Sequence, residues 1–414
     1  MRILLLSQYY PPETGAPQNR LSGLARELSA QGHQIDVLTA MPNYPAMEVL
    51  PGYTGRWFVK EIVDGIQVYR SWIYVSKNRS VVSRLLNYFS FTISAVLVSS
   101  RLPMRFDVVL CESPPLFLGM SGWWIAKRKK ALFVFNVSDL WPESAEKLGV
   151  IRNRFFLRMA TKLEEWLYRK SSFITGQTQG ICSDIRRRNP GKTVHWLPNG
   201  VDRALLNAQA RENWRVKAGY GDSDFLVLYA GIIGIAQGLD TVLDAAKRLP
   251  SDTRVRFLLL GEGPEKDRLM HRKLSEGIHR VDFPEAVKRD TMPDVIQAID
   301  TAVVPLKKMD LFLGAIPSKI FEKLALGKPI ILGVDGEARN IFISQKPCGV
   351  YVEPENAEEL ARAAEELAGD PLRCIELGKN GKSIVEEKFL RSSIAADFAS
   401  IAQEHVSIKS DSTL

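Results

Sequence analysis

Four short segments hold the residues whose types and spacing can do chemistry. In Ile316-Pro317-Ser318-Lys319-Ile320-Phe321-Glu322, Pro317 suits the first position of a helix. Lys319 then falls in the first turn, where free N–H groups and the positive end of the helix dipole favour an anion. Glu322 lies one turn on, on the side of Lys319, where a carboxylate can accept two hydrogen bonds from a ribose diol. Ile320, Phe321, Leu324 and Ala325 supply the opposite, buried face. The plain alternative is a surface Lys319–Glu322 pair worth a few tenths of a kcal/mol. In the second segment, Tyr229 to Gly238, Gly231, Gly234 and Gly238 open a strand-to-helix turn that suits a phosphate, although the spacing is not a P-loop. Gly261-Glu262-Gly263-Pro264 is a similar turn that reads as structural. The third is the loop Gln8–Pro17, where Gly15 either lets backbone N–H groups approach an anion or relieves a tight turn. In the fourth, Asp139 follows an apolar strand. It can accept a proton from a substrate hydroxyl or hold that hydroxyl, or it can cap the turn before Pro142.

These segments need strands that end beside them. Arg2–Ser7, Gln34–Thr39, Asp107–Leu110, Leu132–Val137, Phe173–Thr175 and Val194–Leu197 are short apolar or β-branched runs, separated by helical stretches such as Leu21–Gln31, Ser83–Ser99 and Phe155–Tyr168. Phe225–Ala230, Val255–Leu260, Thr301–Pro305 and Pro329–Leu332 repeat the scheme, with helices at Leu239–Leu249, Lys266–Glu276 and Ser318–Leu326. Strands of this kind are buried on both faces, so parallel sheets covered by helices follow. Asp64-Gly65 between two β-branched runs adds a hairpin. The pattern predicts an α/β chain of two doubly wound domains, residues 1–200 and 201–385, facing across a cleft. Residues 386–414 form a C-terminal helix crossing back toward the first domain, then a frayed tail.

Composition narrows the chemistry. The 414 residues are 45% hydrophobic and 25% charged, which excludes disordered and fibrous classes. The four cysteines lie far apart and the five histidines are scattered without HExxH, so neither a disulfide framework nor a metal site is expected. No GxGxxG follows the first strand, which counts against a dinucleotide enzyme. The net charge of +8 is uneven. Residues 1–200 hold 26 basic and 14 acidic side chains, a net of +12, and the remainder holds 29 and 33, a net of −4. Ser80–Arg101 and Pro114–Lys130 are apolar stretches, the second with Trp123-Trp124 and Lys127-Arg128-Lys129-Lys130. They read either as interfacial helices or as core helices with solvated ends. No aromatic–basic module for nucleic acid is evident.

Taken in order, these segments resemble the group 1 retaining glycosyltransferases of the GT-B fold, in particular a bacterial subgroup that builds O-antigen, capsule or colanic-acid-like polysaccharides. The matching pieces are the Gln8–Pro17 loop with Gly15, Asp139-Leu140-Trp141-Pro142-Glu143-Ser144, Pro198-Asn199-Gly200-Val201-Asp202, Tyr229-Ala230-Gly231, Gln237-Gly238 and Pro317–Glu322. The resemblance implies two Rossmann-like domains, the first on the acceptor side and the second holding a nucleotide-sugar donor. It implies that Glu322 meets the nucleotide ribose, Lys319 and Gly15 the diphosphate, Gly231 and Gln237 the donor, and Asp139 the donor sugar or acceptor as catalytic residue. It implies no cofactor and no metal. The partners it implies are a UDP-linked amino sugar, a lipid-diphosphate-linked saccharide and an anionic membrane surface at the cytoplasmic face. Two departures stand out. Gly314 occupies the place of a second family Glu, and Ile232 and Gln237 replace a basic pair, which leaves phosphate charge to Lys319, backbone amides and Arg20. A nucleotide-sugar epimerase and a non-catalytic sugar-nucleotide scaffold are the alternatives open to the sequence.

Overall fold

The computed structural model describes residues 1–411 apart from 45, 79, 148, 150 and 152. It divides into two compact units, Met1–Asn199 together with the chain from Arg391 onward, and Gly200–Leu390.

The first unit is built on an eight-stranded sheet of β1 (Arg2–Leu6), β2 (Gln34–Ala40), β3 (Phe58–Val63), β4 (Ile66–Ser71), β5 (Val108–Ser113), β6 (Leu132–Val137), β7 (Phe173–Gly176) and β8 (Val194–Trp196). Their order is β3-β4-β2-β1-β5-β6-β7-β8, parallel except for β3, which pairs antiparallel with β4. The β3–β4 hairpin turns at Asp64 and Gly65, both at positive φ, as a two-residue turn matched to strand twist requires. Both faces of the sheet are buried. Leu4 and Leu6 point into one core with Val109, Phe133 and Phe135. Ile3 and Leu5 point into the other, which is closed by Ile394, Phe398 and Ala402 of the Arg391–Asp411 helix. That helix packs on the Ala16–Ala30 helix, where a Cβ on Gly23 would sit 2.4 Å from the Arg391 side chain.

In the second unit, β9 (Phe225–Ala230), β10 (Val255–Leu260), β11 (Val281–Asp282), β12 (Thr301–Pro305), β13 (Ile330–Gly333) and β14 (Gly349–Tyr351) form an all-parallel sheet. The order β11-β10-β9-β12-β13-β14 reverses direction between β9 and β12. Chain connections leave to opposite sides there and open a crevice beyond the carboxyl ends, where doubly wound sheets bind ligands.

Several local expectations differ from what forms. Strand β5 runs on to Ser113 past Leu110, because Glu112 is buried with partners instead of ending the strand. The first helix starts at Ala16, not Leu21. The helix expected from Pro317 starts at Lys319, with Ser318 before it, and spans seven residues. Strands β11 and β14 form without an apolar run that marks them in the sequence: β11 has two residues, and β14 begins at a glycine.

Candidate functional site

In the second unit, β9 and β10 end side by side and their loops pack backbone to backbone. The Gly231 N–H donates to the Leu260 carbonyl at 3.0 Å, and the Ile233 N–H donates to the Glu262 carbonyl at 2.9 Å. A Cβ on Gly261 would lie 1.9 Å from the Gly231 oxygen, and one on Gly263 would lie 2.2 Å from the Ile233 oxygen. Gly261 and Gly263 are therefore structural, and their absent side chains fix where the Gly231 loop runs.

Against that loop lies Lys319. A Cβ on Gly231 would meet its Nζ at 3.2 Å, and Nζ stands 3.9 Å from the ring centroid of the buried Tyr229. The Tyr229 hydroxyl donates to the Ile232 carbonyl, which holds the ring in place. Among the described residues no carboxylate pairs with Lys319. Burial pushes its pKa well below the ordinary lysine value, and the charge of Lys323 adds to the shift. This ammonium rests on an aromatic face. The helix that carries it is short, so its dipole adds little beside the full charge.

Glu322 does not pair with Lys319. Its nearest cation is Lys323, at 3.9 Å, and its side chain is 40% exposed. Ile320, Phe321, Leu324 and Ala325 are buried as expected, and Lys323 is buried with them. Gln237 ends a short 3-10 turn, with its Oε1 2.9 Å from where a Cβ on Gly234 would stand. Gly238 holds a left-handed conformation at φ 58°, and the Lys307 N–H donates to the Ala236 carbonyl at 2.9 Å, tying this turn to the end of β12. The structure thus joins Gly231 to Lys319 directly. No hydrogen bond or ion pair joins Gln237 or Glu322 to that pair among the described residues. Ile232 is half exposed, with no charge in its place.

In the first unit, the loop after β1 is held from below by two buried groups that sequence reasoning passed over. Glu13 accepts backbone N–H bonds from Asn43 at 2.7 Å, Tyr44 at 2.8 Å and Tyr10 at 3.2 Å. Burial raises its pKa, against the pull of those bonds. Arg70, fully buried, donates to the Pro11 carbonyl and pairs with Glu61. Gly15 precedes the Ala16–Ala30 helix with φ 167°, ordinary extended backbone, so no turn strain demands a glycine there. A Cβ would instead crowd the Gln18 amide, its Oε1 2.5 Å away.

Arg20, the candidate phosphate contact, is buried in an ion pair with Glu112 and reaches Gln177 Oε1 at 3.4 Å. Glu112 also accepts from Asn136 and Ser138. This satisfied buried network positions the ends of β5 and β6. Asp139 follows directly. Its Oδ2 accepts from Ser144 Oγ at 2.7 Å, and burial raises its carboxyl pKa against bonds from Ser144 and the Leu140 N–H. It therefore braces the turn and also presents a carboxyl with raised proton affinity at a strand's carboxyl end. Among the described residues no group of three or more His, Cys, Asp or Glu side chains is placed to hold a metal ion.

Two family models match the chain: "Glycosyl transferase 4-like domain" over residues 15–200 and "Glycosyl transferases group 1" over residues 210–384. A similar protein in Escherichia coli, WcaI, provisionally named a colanic acid biosynthesis glycosyl transferase, is 26% identical over 370 residues, 87% of this chain and 90% of that one. Sucrose-phosphate synthase from Thermosynechococcus elongatus has a similar structure, with a TM-score of 0.76 and 16% identity over 97% of this chain and 98% of that one. Anabaena HepE, solved with UDP and glucose, gives 0.72 and 17% over 98% and 100%. With a transferase model on each half and the strand orders above, the chain belongs to the GT-B-fold glycosyltransferases, related to those of bacterial surface polysaccharides.

Proposed function

We propose that this protein transfers a sugar, with retention of anomeric configuration and without a metal, from a nucleotide-diphosphate donor to a lipid-linked saccharide at the cytoplasmic face of the membrane. The donor is a UDP-linked N-acetyl amino sugar. The observation that carries the reading is the Lys319 ammonium, set on Tyr229 and against Gly231 at the carboxyl end of β9, with no carboxylate among the described residues to neutralise it. A diphosphate supplies the missing anion. Glu322, half exposed on the same helix, accepts from the ribose diol, and Gln237 and the Gly15 loop line the donor. The acceptor hydroxyl bonds to the anomeric carbon as the bond from that carbon to the diphosphate breaks. The departing diphosphate oxygen takes the hydroxyl proton, and Asp139 holds the acceptor or the sugar. HepE with UDP and glucose, and the colanic acid name of the E. coli relative, support the donor and acceptor classes by analogy.

Incubation of the purified chain with labelled nucleotide sugars and membrane lipid extract, with and without EDTA, tests this. The expected result is a lipid-extractable product that keeps the donor's anomeric configuration, formed equally in EDTA. No transfer and no nucleotide release across a broad donor panel overturns it, and an epimer formed from donor alone points to the epimerase instead.

A further inference from the structure

The Val81–Val98 helix packs Phe91, Ala95 and Val98 into the core and is apolar on its outward face as well. Its inward face carries polar groups: buried Asn87 donates to the Tyr74 carbonyl at 2.6 Å and accepts from Gln8 Nε2 at 2.8 Å. Ser90 accepts from the Tyr74 N–H at 2.8 Å, and buried Ser94 donates to the Trp72 carbonyl. Its outward face is Val82, Leu86, Phe89, Ile93 and Leu97, each between 37% and 67% exposed. Spacings of four, three, four and four place these in one stripe along the helix. A surface helix of a water-soluble domain carries polar and charged side chains on that outward face.

Trp57 and Trp72 stack at 5.5 Å and are 48% and 38% exposed. The carbonyl that Ser94 holds is that of Trp72, so this pair lies on a segment bonded to the helix. At the far end of the helix, Arg101 lies exposed over the Phe58 ring at 4.6 Å. Arg84 on the helix and Arg101 and Arg105 just after it are exposed and make no ion pair among the described residues, whereas Arg70 is buried against Glu61 and Lys77 pairs with Glu48.

We propose that this face docks on an anionic lipid bilayer, with the helix lying in the interface. The outward apolar stripe, the exposed Trp57–Trp72 pair and the exposed Arg84, Arg101 and Arg105 match the acyl boundary, the headgroup level and the surface charge respectively. A second copy of the chain fits worse, because a self-complementary pairing would bring like charges together. The helix is long and apolar enough to cross a membrane. Its inward hydrogen bonds, and Phe91, Ala95 and Val98 in the core, hold it flat on the sheet instead. Through Asn87 and Gln8 it is hydrogen-bonded to the loop after β1, so the docked face and the loop proposed to line the donor share a rigid support. The inference rests on the reading of a lipid-linked acceptor.

Flotation of the full chain with vesicles of phosphatidylcholine alone, or with one-third phosphatidylglycerol, tests it. Binding to the anionic vesicles that weakens as salt rises is expected, with a loss of about tenfold or more in Ile93→Asp/Leu97→Asp. Thermal stabilisation by nucleoside diphosphate should be unchanged in that variant, which reports an intact fold. Absent binding, equal binding to neutral vesicles, undiminished binding by the variant, or a wild-type dimer that the variant disperses each overturns the proposal. Glycosyl transfer measured in detergent is a separate readout. Its absence beside intact vesicle binding refutes the transferase reading and leaves the docking face standing.

Discussion

Methionine in place of Lys319 keeps most of the side-chain volume and removes the charge. In the free protein that charge is stabilised by the Tyr229 ring, 3.9 Å from Nζ, an interaction worth roughly 0.5–2 kcal/mol. Against it stands the desolvation of an ammonium without a carboxylate, which costs several kcal/mol. The second effect is larger, so Lys319→Met is expected to leave the melting temperature unchanged or to raise it by a few degrees. Donor affinity moves the other way. A charge-assisted contact to a phosphate oxygen contributes about 1.5–3 kcal/mol, which converts to a loss of roughly 10- to 150-fold in affinity. Titration calorimetry with the nucleoside diphosphate that stabilises the wild type, run beside thermal unfolding, reads both quantities. Affinity within twofold of wild type refutes the phosphate role. A melting temperature several degrees lower means that Lys319 supports the fold and the charge argument fails.

The same residue gives a pH signature. Burial holds the free ammonium well below its ordinary pKa, and a bound diphosphate favours the charged form. Binding therefore takes up a proton wherever the free group is partly neutral, and affinity falls as pH rises through the depressed pKa. The stability sign is independent of the donor. Between the depressed folded pKa and the ordinary unfolded one, the unfolded chain holds more protons, so this group's contribution to stability rises with pH across that window. Heats that vary with buffer ionisation enthalpy, absent in Lys319→Met, are the expected observation.

Glu322→Ala removes an acceptor for two hydrogen bonds and should raise the donor KM by roughly 10- to 100-fold or abolish turnover; wild-type kinetics would remove it from the ribose. Asp139→Asn keeps an oxygen for the Ser144 hydroxyl, so the fold should stand while kcat falls by about 100-fold or more. Because burial raises the Asp139 carboxyl pKa, the acid limb of the wild-type pH–rate profile should lie above the ordinary aspartate value and be missing in the variant. Gly261→Ala puts a Cβ 1.9 Å from the Gly231 oxygen at φ +150° and should cost about 3 kcal/mol or more. Gly277→Ala, at φ +64° with open space around it, should cost only about 1–2 kcal/mol, and thermal unfolding of the two separates crowding from backbone strain.

The strands that organise each unit were legible because they are buried on both faces and read as continuous apolar runs. Only β11, two residues long, and β14, which begins at a glycine, escaped. The hairpin at Asp64-Gly65 was legible because two positive φ values demand those residue types. Partners, by contrast, were not. Lys319 and Glu322 stand three apart on one helix, which suggests a pair, yet Lys319 turns to Tyr229 and Gly231 from another strand and Glu322 lies beside Lys323. Arg20 and Glu112 are 92 positions apart, and nothing local predicts a buried ion pair between them. Apolar patterning records which face a residue takes. A polar residue's partner is set by strand order, which emerges only when the sheet assembles. Glu112 carried the one available signal, an acidic residue directly after an apolar run that did not end there.

The uneven charge acquires meaning only at the scale of single side chains. The half of the chain that includes Lys319 is acidic, net −4 over 201–414, so its overall field does not attract a diphosphate. An anion there must be held at short range, and the loop offers a half-exposed isoleucine at 232 where a cation would serve. A buried ammonium suits short-range capture, because screening by salt reaches it least and its affinity for an anion grows as water is excluded. The basic half uses its charge differently. Arg20, at the ends of β5 and β6, is neutralised by Glu112, whereas Arg84, Arg101 and Arg105 stay exposed in and just after an outward apolar helix. On this argument, raising salt should weaken vesicle binding much more than donor binding. Equal salt dependence of the two would mean that the division between a buried donor charge and an exposed docking charge is wrong.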